Sequence, residues 1–211
     1  MINVIDKINS TNSWLTQFNL DFFDSVISLK QSEGRGRQGR SWESHEGGFY
    51  YSVVLPNNNL LPIIVGISVA EILHENGIIT KVKWPNDILV EGKKLGGVLC
   101  QIQGKKVIVG LGINMDNKSS LEKSISLSAL GFSIDKLDFI SKFNEKIRIT
   151  MKHSDEYIIE QFLIYDCLIG EYVYWKDGSG QVVKIAEDGC LVVRDSLGEL
   201  IFLTEEVHLH D

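Results

Sequence analysis

The chain reads as an α+β protein: a mixed or antiparallel sheet with helices, followed by a small β-barrel. Three observations carry that reading. Between residues 81 and 115, short runs of β-branched and apolar residues alternate with turn signals. Two segments, Leu61 to Asn76 and residues 137–151, have helical rather than strand character. From about Gly170 the pattern changes to five short strands joined by tight turns.

Each element has a local reason. Ser10 or Thr11 can cap a short helix carrying Trp14, Leu15 and Phe18 on one side. Val26–Leu29 and the aromatic, β-branched run Phe49–Leu55 read as strands. Leu61 to Asn76 is apolar nearly all round, hence a buried helix, and Gly77 suits its C-terminal stop. Lys81–Trp84 is a short strand stopped by Pro85-Asn86-Asp87. Ile88–Val90, Leu95–Gln103 and Val107–Met115 then suggest an antiparallel meander. Residues 137–151 place Ile140, Phe143, Ile147 and Met151 on one helix face. The final strands are expected at Tyr172–Trp175, Gln181–Ala186, Cys190–Arg194, Leu200–Leu203 and Val207–Leu209, a barrel of SH3-like type. The expected division is therefore residues 1–168 and 169–211.

Composition narrows the function. The net charge of −7 and pI near 5.3 argue against general binding to nucleic acid or membrane surfaces. Cys100, Cys167 and Cys190 lie far apart, with no CxxC pair, so neither a disulfide framework nor a zinc site is expected. The N-terminus does not read as a signal peptide, and the expected compartment is the cytoplasm.

Against that acidic background, three of the five arginines fall within six residues, in Gly34-Arg35-Gly36-Arg37-Gln38-Gly39-Arg40-Ser41-Trp42. The guanidinium fork suits phosphate or carboxylate, and glycine allows close backbone approach. The segment reads as an anion-binding loop; a flexible or nucleic-acid-binding Arg/Gly run is the competing reading. Lys83-Trp84-Pro85-Asn86-Asp87 puts polar side chains at a strand edge, where Asp87 either caps a solvated Asx turn or holds a metal or amine. Lys93-Lys94 has the look of a solvated hairpin tip, but the following Gly96-Gly97 pair implies a close neighbour. Val109-Gly110-Leu111-Gly112-Ile113-Asn114 suits a strand carrying glycines past a ligand better than a dinucleotide fingerprint.

Ser10-Thr11-Asn12, the Arg/Gly loop, Lys83–Asp87, Lys94-Leu95-Gly96-Gly97 and Gly112-Ile113-Asn114-Met115 resemble, in order, the motifs of the biotin protein ligases. The resemblance covers residues 10–115, and the terminal barrel is similar to that family's last domain. It implies a class II synthetase-like catalytic domain and a ligase-only form without an N-terminal DNA-binding domain, hence no DNA partner; the acidic balance adds the expectation of no membrane partner. It implies biotin and ATP as substrates with Mg2+, a biotin carboxyl carrier domain as acceptor, and, as in many members, a homodimer. Ser10, Thr11, Asn12, Gln31, Gly34, Arg35 and Gly97 would hold biotin. Arg37, Arg40, Trp42, Lys94 and Asn114 would hold the nucleotide. Lys94, Arg37 and Asp87 would be catalytic, Asp87 orienting either the incoming lysine or a metal-bound group. The Arg/Gly loop would fold over the intermediate and exclude water. One departure is Glu43-Ser44-His45-Glu46-Gly47-Gly48, where many members read Ser-Pro-x-Gly after the tryptophan. The alternatives are a lipoate-type ligase, whose Arg-Arg-x-Ser-Gly-Gly-Gly loop is absent, an RNA-binding Arg/Gly module, and a non-catalytic biotin binder.

Overall fold

A computed structural model describes residues 2–117 and 121–209. Its larger sheet has seven strands: β1 (Ile2–Ile8), β2 (Ser25–Gln31), β3 (Phe49–Pro56), β4 (Lys81–Lys83), β5 (Asp87–Val90), β6 (Lys93–Gln103) and β7 (Lys106–Ile113). They lie in the order β1-β2-β3-β7-β6-β5-β4. β1 runs parallel to β2, and every other neighbour pair is antiparallel. The expected meander is thus β5-β6-β7.

Side-chain alternation sorts this sheet into two faces. Phe49, Tyr51, Val53, Leu55, Val109 and Leu111 point to the main core. There α2 (Leu61–Glu75) packs on the sheet and is itself covered by α3 (Lys136–Thr150) and α4 (Asp155–Tyr165). Being enclosed on several sides explains why α2 is apolar nearly all round. The opposite face carries Tyr50, Ser52 and Val54, and α1 (Thr11–Leu15) covers part of it. A five-residue helix is marginal alone, since isolated helices under about 12 residues are unstable in water. Leu15, fully buried against Val26, Val54 and Ile108, holds it in place and contributes about 1.5–3 kcal/mol.

The second sheet is antiparallel and five-stranded: β8 (Tyr172–Trp175), β9 (Gly178–Ile185), β10 (Leu191–Arg194), β11 (Leu200–Leu203) and β12 (His208–Leu209), ordered β11-β10-β9-β8-β12. This is the expected SH3-like unit. Its buried residues Val173, Val193 and Val207 join the same hydrophobic cluster as α2 and Trp84. Trp84 Nε1 donates to the Gly189 carbonyl at 2.9 Å across the junction.

Four details depart from the sequence reading. β1 and α4 are additional elements. Helix α1 ends before Phe18, whose ring still packs on Trp14 with centroids 4.5 Å apart. The β5–β6 turn is only Glu91-Gly92, with φ of 51° and 73°, so Lys93 and Lys94 already belong to strand β6 rather than to a solvated tip. Paired positive-φ residues match the twist of flanking strands in a two-residue turn.

Candidate active site

The part of the sheet left uncovered beside α1 forms a cavity of about 210 Å³. Its floor is built from absences of side chain. Gly97, Gly110 and Gly112 point toward it, and a Cβ at Gly112 would sit 2.7 Å from the Trp42 ring. A Cβ at Gly110 would fall 2.2 Å from Asn12 Oδ1. The glycines of β6 and β7 therefore admit Trp42 at one end of the cavity and Asn12 at the other.

A β-bulge aims the central lysine. Asp87 pairs with Gly97 and Ile88 with Gly96, but Leu89 pairs with Lys94, leaving Leu95 as the extra residue. Strict alternation from Gly97 would send Leu95 to the cavity and Lys94 to the core. The bulge reverses this. Leu95 is fully buried in the core, and Lys94 Nζ stands 2.6 Å from Asp87 Oδ1 and 5.6 Å from the Trp42 ring centre. The Lys94 side chain is 35% exposed and that of Asp87 16%, so the pair forms at the cavity rim with the ammonium accessible from it.

At the α1 end, polar groups converge. Thr11 N and Oγ1 both donate to Gln31 Oε1, at 2.8 and 3.1 Å. Ser52 Oγ lies 2.8 Å from Thr11 Oγ1 and donates to Asn12 Oδ1 at 2.6 Å, while Asn12 Nδ2 donates to Gln101 Oε1 at 2.8 Å. Ser10 caps α1, its Oγ accepting from Ser13 N. The stretch that departs from the family pattern supports the same wall: Gln31 Nε2 donates to Ser44 Oγ at 2.8 Å, and Tyr50 OH to the His45 carbonyl at 2.6 Å. Burial pushes the Tyr50 hydroxyl well above its ordinary pKa, with Glu43 adding to the shift, so the hydroxyl remains a donor.

The Arg/Gly loop closes the cavity. An isolated bridge joins Arg35 to Ser41, and Trp42 N donates to the Gly34 carbonyl at 2.9 Å. A single 3-10 turn spans Arg37–Gly39. Arg35, Arg37 and Arg40 all line the cavity. Arg37 Nη1 donates to Asn86 Oδ1 at 3.0 Å, and Asn86 Nδ2 to the Val98 carbonyl at 3.0 Å. Trp42 Nε1 is buried with no hydrogen-bond partner among the described residues. An unpaired buried donor costs about 1–3 kcal/mol, which an acceptor on a bound ligand would relieve.

Of the residues expected at the site, Ser10, Thr11, Asn12, Gln31, Arg35, Arg37, Arg40, Trp42, Lys94 and Gly97 line one cavity. Asp87 joins them through Lys94. Gly34 lies just outside, beneath the loop, where a Cβ would meet the Trp42 carbonyl at 2.4 Å. Asn114 is not among the lining residues; it is buried, and its Oδ1 accepts from Asn117 Nδ2 at 3.0 Å. Asn86, Tyr50, Ser52 and Gln101 were not singled out from sequence. Asn86 sat inside a quoted motif, and alternation from the Phe49 strand would have placed Tyr50 and Ser52 on the glycine face.

None of the three cysteines is primed as a thiolate. Burial pushes the Cys100 thiol up to about 12, only partly opposed by Arg37, and burial with the Asp166 charge lifts Cys167 to about 11. Burial with the neighbouring Asp188 raises Cys190 as well. Among the described residues, no group of three or more His, Cys, Asp or Glu could hold a metal, and no helix is long and apolar enough to cross a membrane.

A glycine floor, a bulge-aimed lysine with its carboxylate and a roof of arginines thus surround one cavity. The model of the biotin/lipoate A/B protein ligase family matches residues 4–116, and the chain belongs to that family. It is 34% identical over 175 residues to the bifunctional ligase/repressor BirA of Bacillus spizizenii, covering 72% of this chain and 54% of that protein. The chain thus spans about half the length of that relative. It is 25% identical over 212 residues to the biotin–[acetyl-CoA-carboxylase] ligase of Paracoccus denitrificans, covering 86% and 88% of the two chains. The biotin protein ligase of Aquifex aeolicus, solved in complex with biotin and ATP, matches with a TM-score of 0.88 at 27% identity over 99% of both chains.

Proposed function

We propose that this chain activates biotin with ATP and transfers it to a lysine of a biotin carboxyl carrier domain. A biotin carboxylate oxygen attacks the α-phosphorus, the bond to the bridging oxygen breaks, and pyrophosphate leaves. The acceptor lysine's amine then attacks the acyl carbon of biotinyl-5′-AMP and AMP leaves. Such chemistry needs positioning and charge neutralisation rather than an enzyme nucleophile. The observation that carries the reading is the single cavity joining a polar end at Thr11, Asn12 and Gln31 to a cationic end at Lys94, Arg35 and Arg37.

Each residue then has a task. The network of Thr11, Asn12, Gln31 and Ser52 presents donors and acceptors for the polar ring of biotin, and Gly97 and Gly110 let that ring lie against the sheet. Lys94 belongs to the cationic end, where the carboxylate and α-phosphate would meet. Asp87 fixes the ammonium, and its freed lone pairs are placed to orient the incoming amine. Trp42 covers the nucleotide end. The nucleotide enters as its magnesium complex. Mg2+ commonly keeps water and phosphate ligands with one or two carboxylates, and Asp87 is the carboxylate at hand.

We assign residues 1–168 to catalysis and 169–211 to support of the loop and docking of the acceptor. The three free thiols suit a cytoplasmic setting. Incubation with biotin, magnesium ATP and a biotin-acceptor domain should yield biotinylated acceptor. An acceptor labelled equally well by lipoate, or by neither acid, would overturn the reading.

A further inference from the structure

We propose that Glu206, between β11 and β12 of the second sheet, is a positioning residue that latches the arginine–glycine loop over the cavity by holding Arg40. The three loop arginines have different partners. Arg35 has no side-chain hydrogen bond or ion pair among the described residues and faces the cavity. Arg37 is held by Asn86 of the larger sheet. Arg40 is held across 166 residues by Glu206, with Nη2 to Oε2 at 2.5 Å and Nη1 to Oε1 at 3.3 Å. Its Nε also donates to the Arg37 carbonyl at 3.3 Å, so the same guanidinium braces the loop internally. The loop is therefore pinned to both sheets at once.

An ordinary surface ion pair would be too weak for this. Two features set this pair apart. It is a fork-to-fork contact, the geometry that gives arginine pairs their directionality. The Glu206 side chain is only 16% exposed, against 53% for Arg40. A carboxylate withdrawn from water is costly without a partner, so the barrel side of the latch draws the loop arginine in rather than the reverse. Burial alone would raise the Glu206 carboxyl, yet Arg40, with His208 and Lys83 behind it, brings it below its ordinary value.

The test has two arms. In the protein without ligand, trypsin cleavage after Arg37 reports loop opening. Glu206→Gln should be nicked at least about fivefold faster than the parent, and high salt should speed the parent more than the variant. A charge-swapped Arg40→Glu/Glu206→Arg pair should restore slow cleavage after Arg37, which a general loss of structure would not do. In the second arm, which rests on the proposed function, Glu206→Gln should release biotinyl-AMP several-fold faster while forming it at closer to the parent rate. Equal nicking of parent and Glu206→Gln, with no recovery in the swapped pair, overturns the latch. Failure of the parent to make biotinyl-AMP instead overturns the functional reading and leaves the proteolysis arm to decide the latch.

Discussion

The two sheets contribute to the cavity in opposite ways. The seven-stranded sheet gives it shape by omission: Gly97, Gly110 and Gly112 clear a face on which Trp42 and Asn12 come to rest. The five-stranded sheet offers no strand face to the cavity. It reaches the larger sheet and the Arg/Gly loop through turns, with the Gly189 carbonyl taking Trp84 and the Glu206 carboxylate taking Arg40. Strands hold geometry that must not move, whereas turns suit contacts that can break while a ligand passes. The contrast predicts that damage to the first sheet changes chemistry and affinity, and damage to the second changes closure and stability.

Lys94→Ala tests the first half with the largest effect. In the proposed reaction the ammonium would face charge that develops as the carboxylate meets phosphorus, and removing one such group costs on the order of 10²–10³ in rate. Biotin affinity should fall far less. Pyrophosphate exchange measures the step, and near-parental exchange would remove Lys94 from catalysis.

The glycine floor should sort the two ligands. Gly110→Ala would drive a methyl into Asn12 and should weaken biotin more than nucleotide. Gly112→Ala would displace Trp42 and should do the converse. Each preferred loss should reach roughly tenfold, or about 1.4 kcal/mol. Calorimetric titration of both ligands on both variants decides it, and equal losses would erase the distinction between the ends.

Trp84→Phe probes the junction. It removes one hydrogen bond, worth about 1 kcal/mol, and leaves the space of the indole's second ring unfilled in the core, which adds to the loss. For a chain of this length that is a fall of at least about 2–4 °C in Tm. Biotin affinity should stay parental; a loss of binding larger than the loss of stability would mean the junction shapes the cavity.

The smallest effect lies at Asp166, the cap of α4 and the start of the linker to β8. Its Oδ2 accepts from Leu168 N and Ile169 N at 2.8 and 2.7 Å, while Oδ1 is buried with no partner among the described residues. Burial raises its carboxyl pKa despite these hydrogen bonds and Lys81. A group with a raised folded pKa favours folding most at low pH, and that contribution is lost as pH rises through the folded value. Asp166→Asn should therefore raise Tm at pH 7, with the gain shrinking toward pH 4. A variant less stable at pH 7 than at pH 4, relative to the parent, would reverse the assignment.

Much of this was legible without coordinates. The Phe49–Leu55 strand, the all-round apolar α2, the α3 face and the five terminal strands follow from periodicity and turn residues, because those signals act within a few residues of chain. So does the character of the site: three arginines and three glycines in an acidic chain announce an anion. β1 escaped because Ile2 and Val4 lie exposed on an edge strand among polar neighbours. The missed α4 did carry a signal, since Ser154 caps it and Asp155 and Glu156 occupy its first turn.

What sequence alone determined, then, is most of the elements and the residue types that the proposed chemistry needs. Tertiary structure alone decided their pairing. Lys94 faces the cavity only because β6 bulges at Leu95, and the break in alternation is hidden in the sequence because Gly96 and Gly97 carry no side chain to mark a face. Glu206 was unremarkable in its own segment. It acquired a partner because two sheets share one core, and packing brings together charges that the chain keeps far apart.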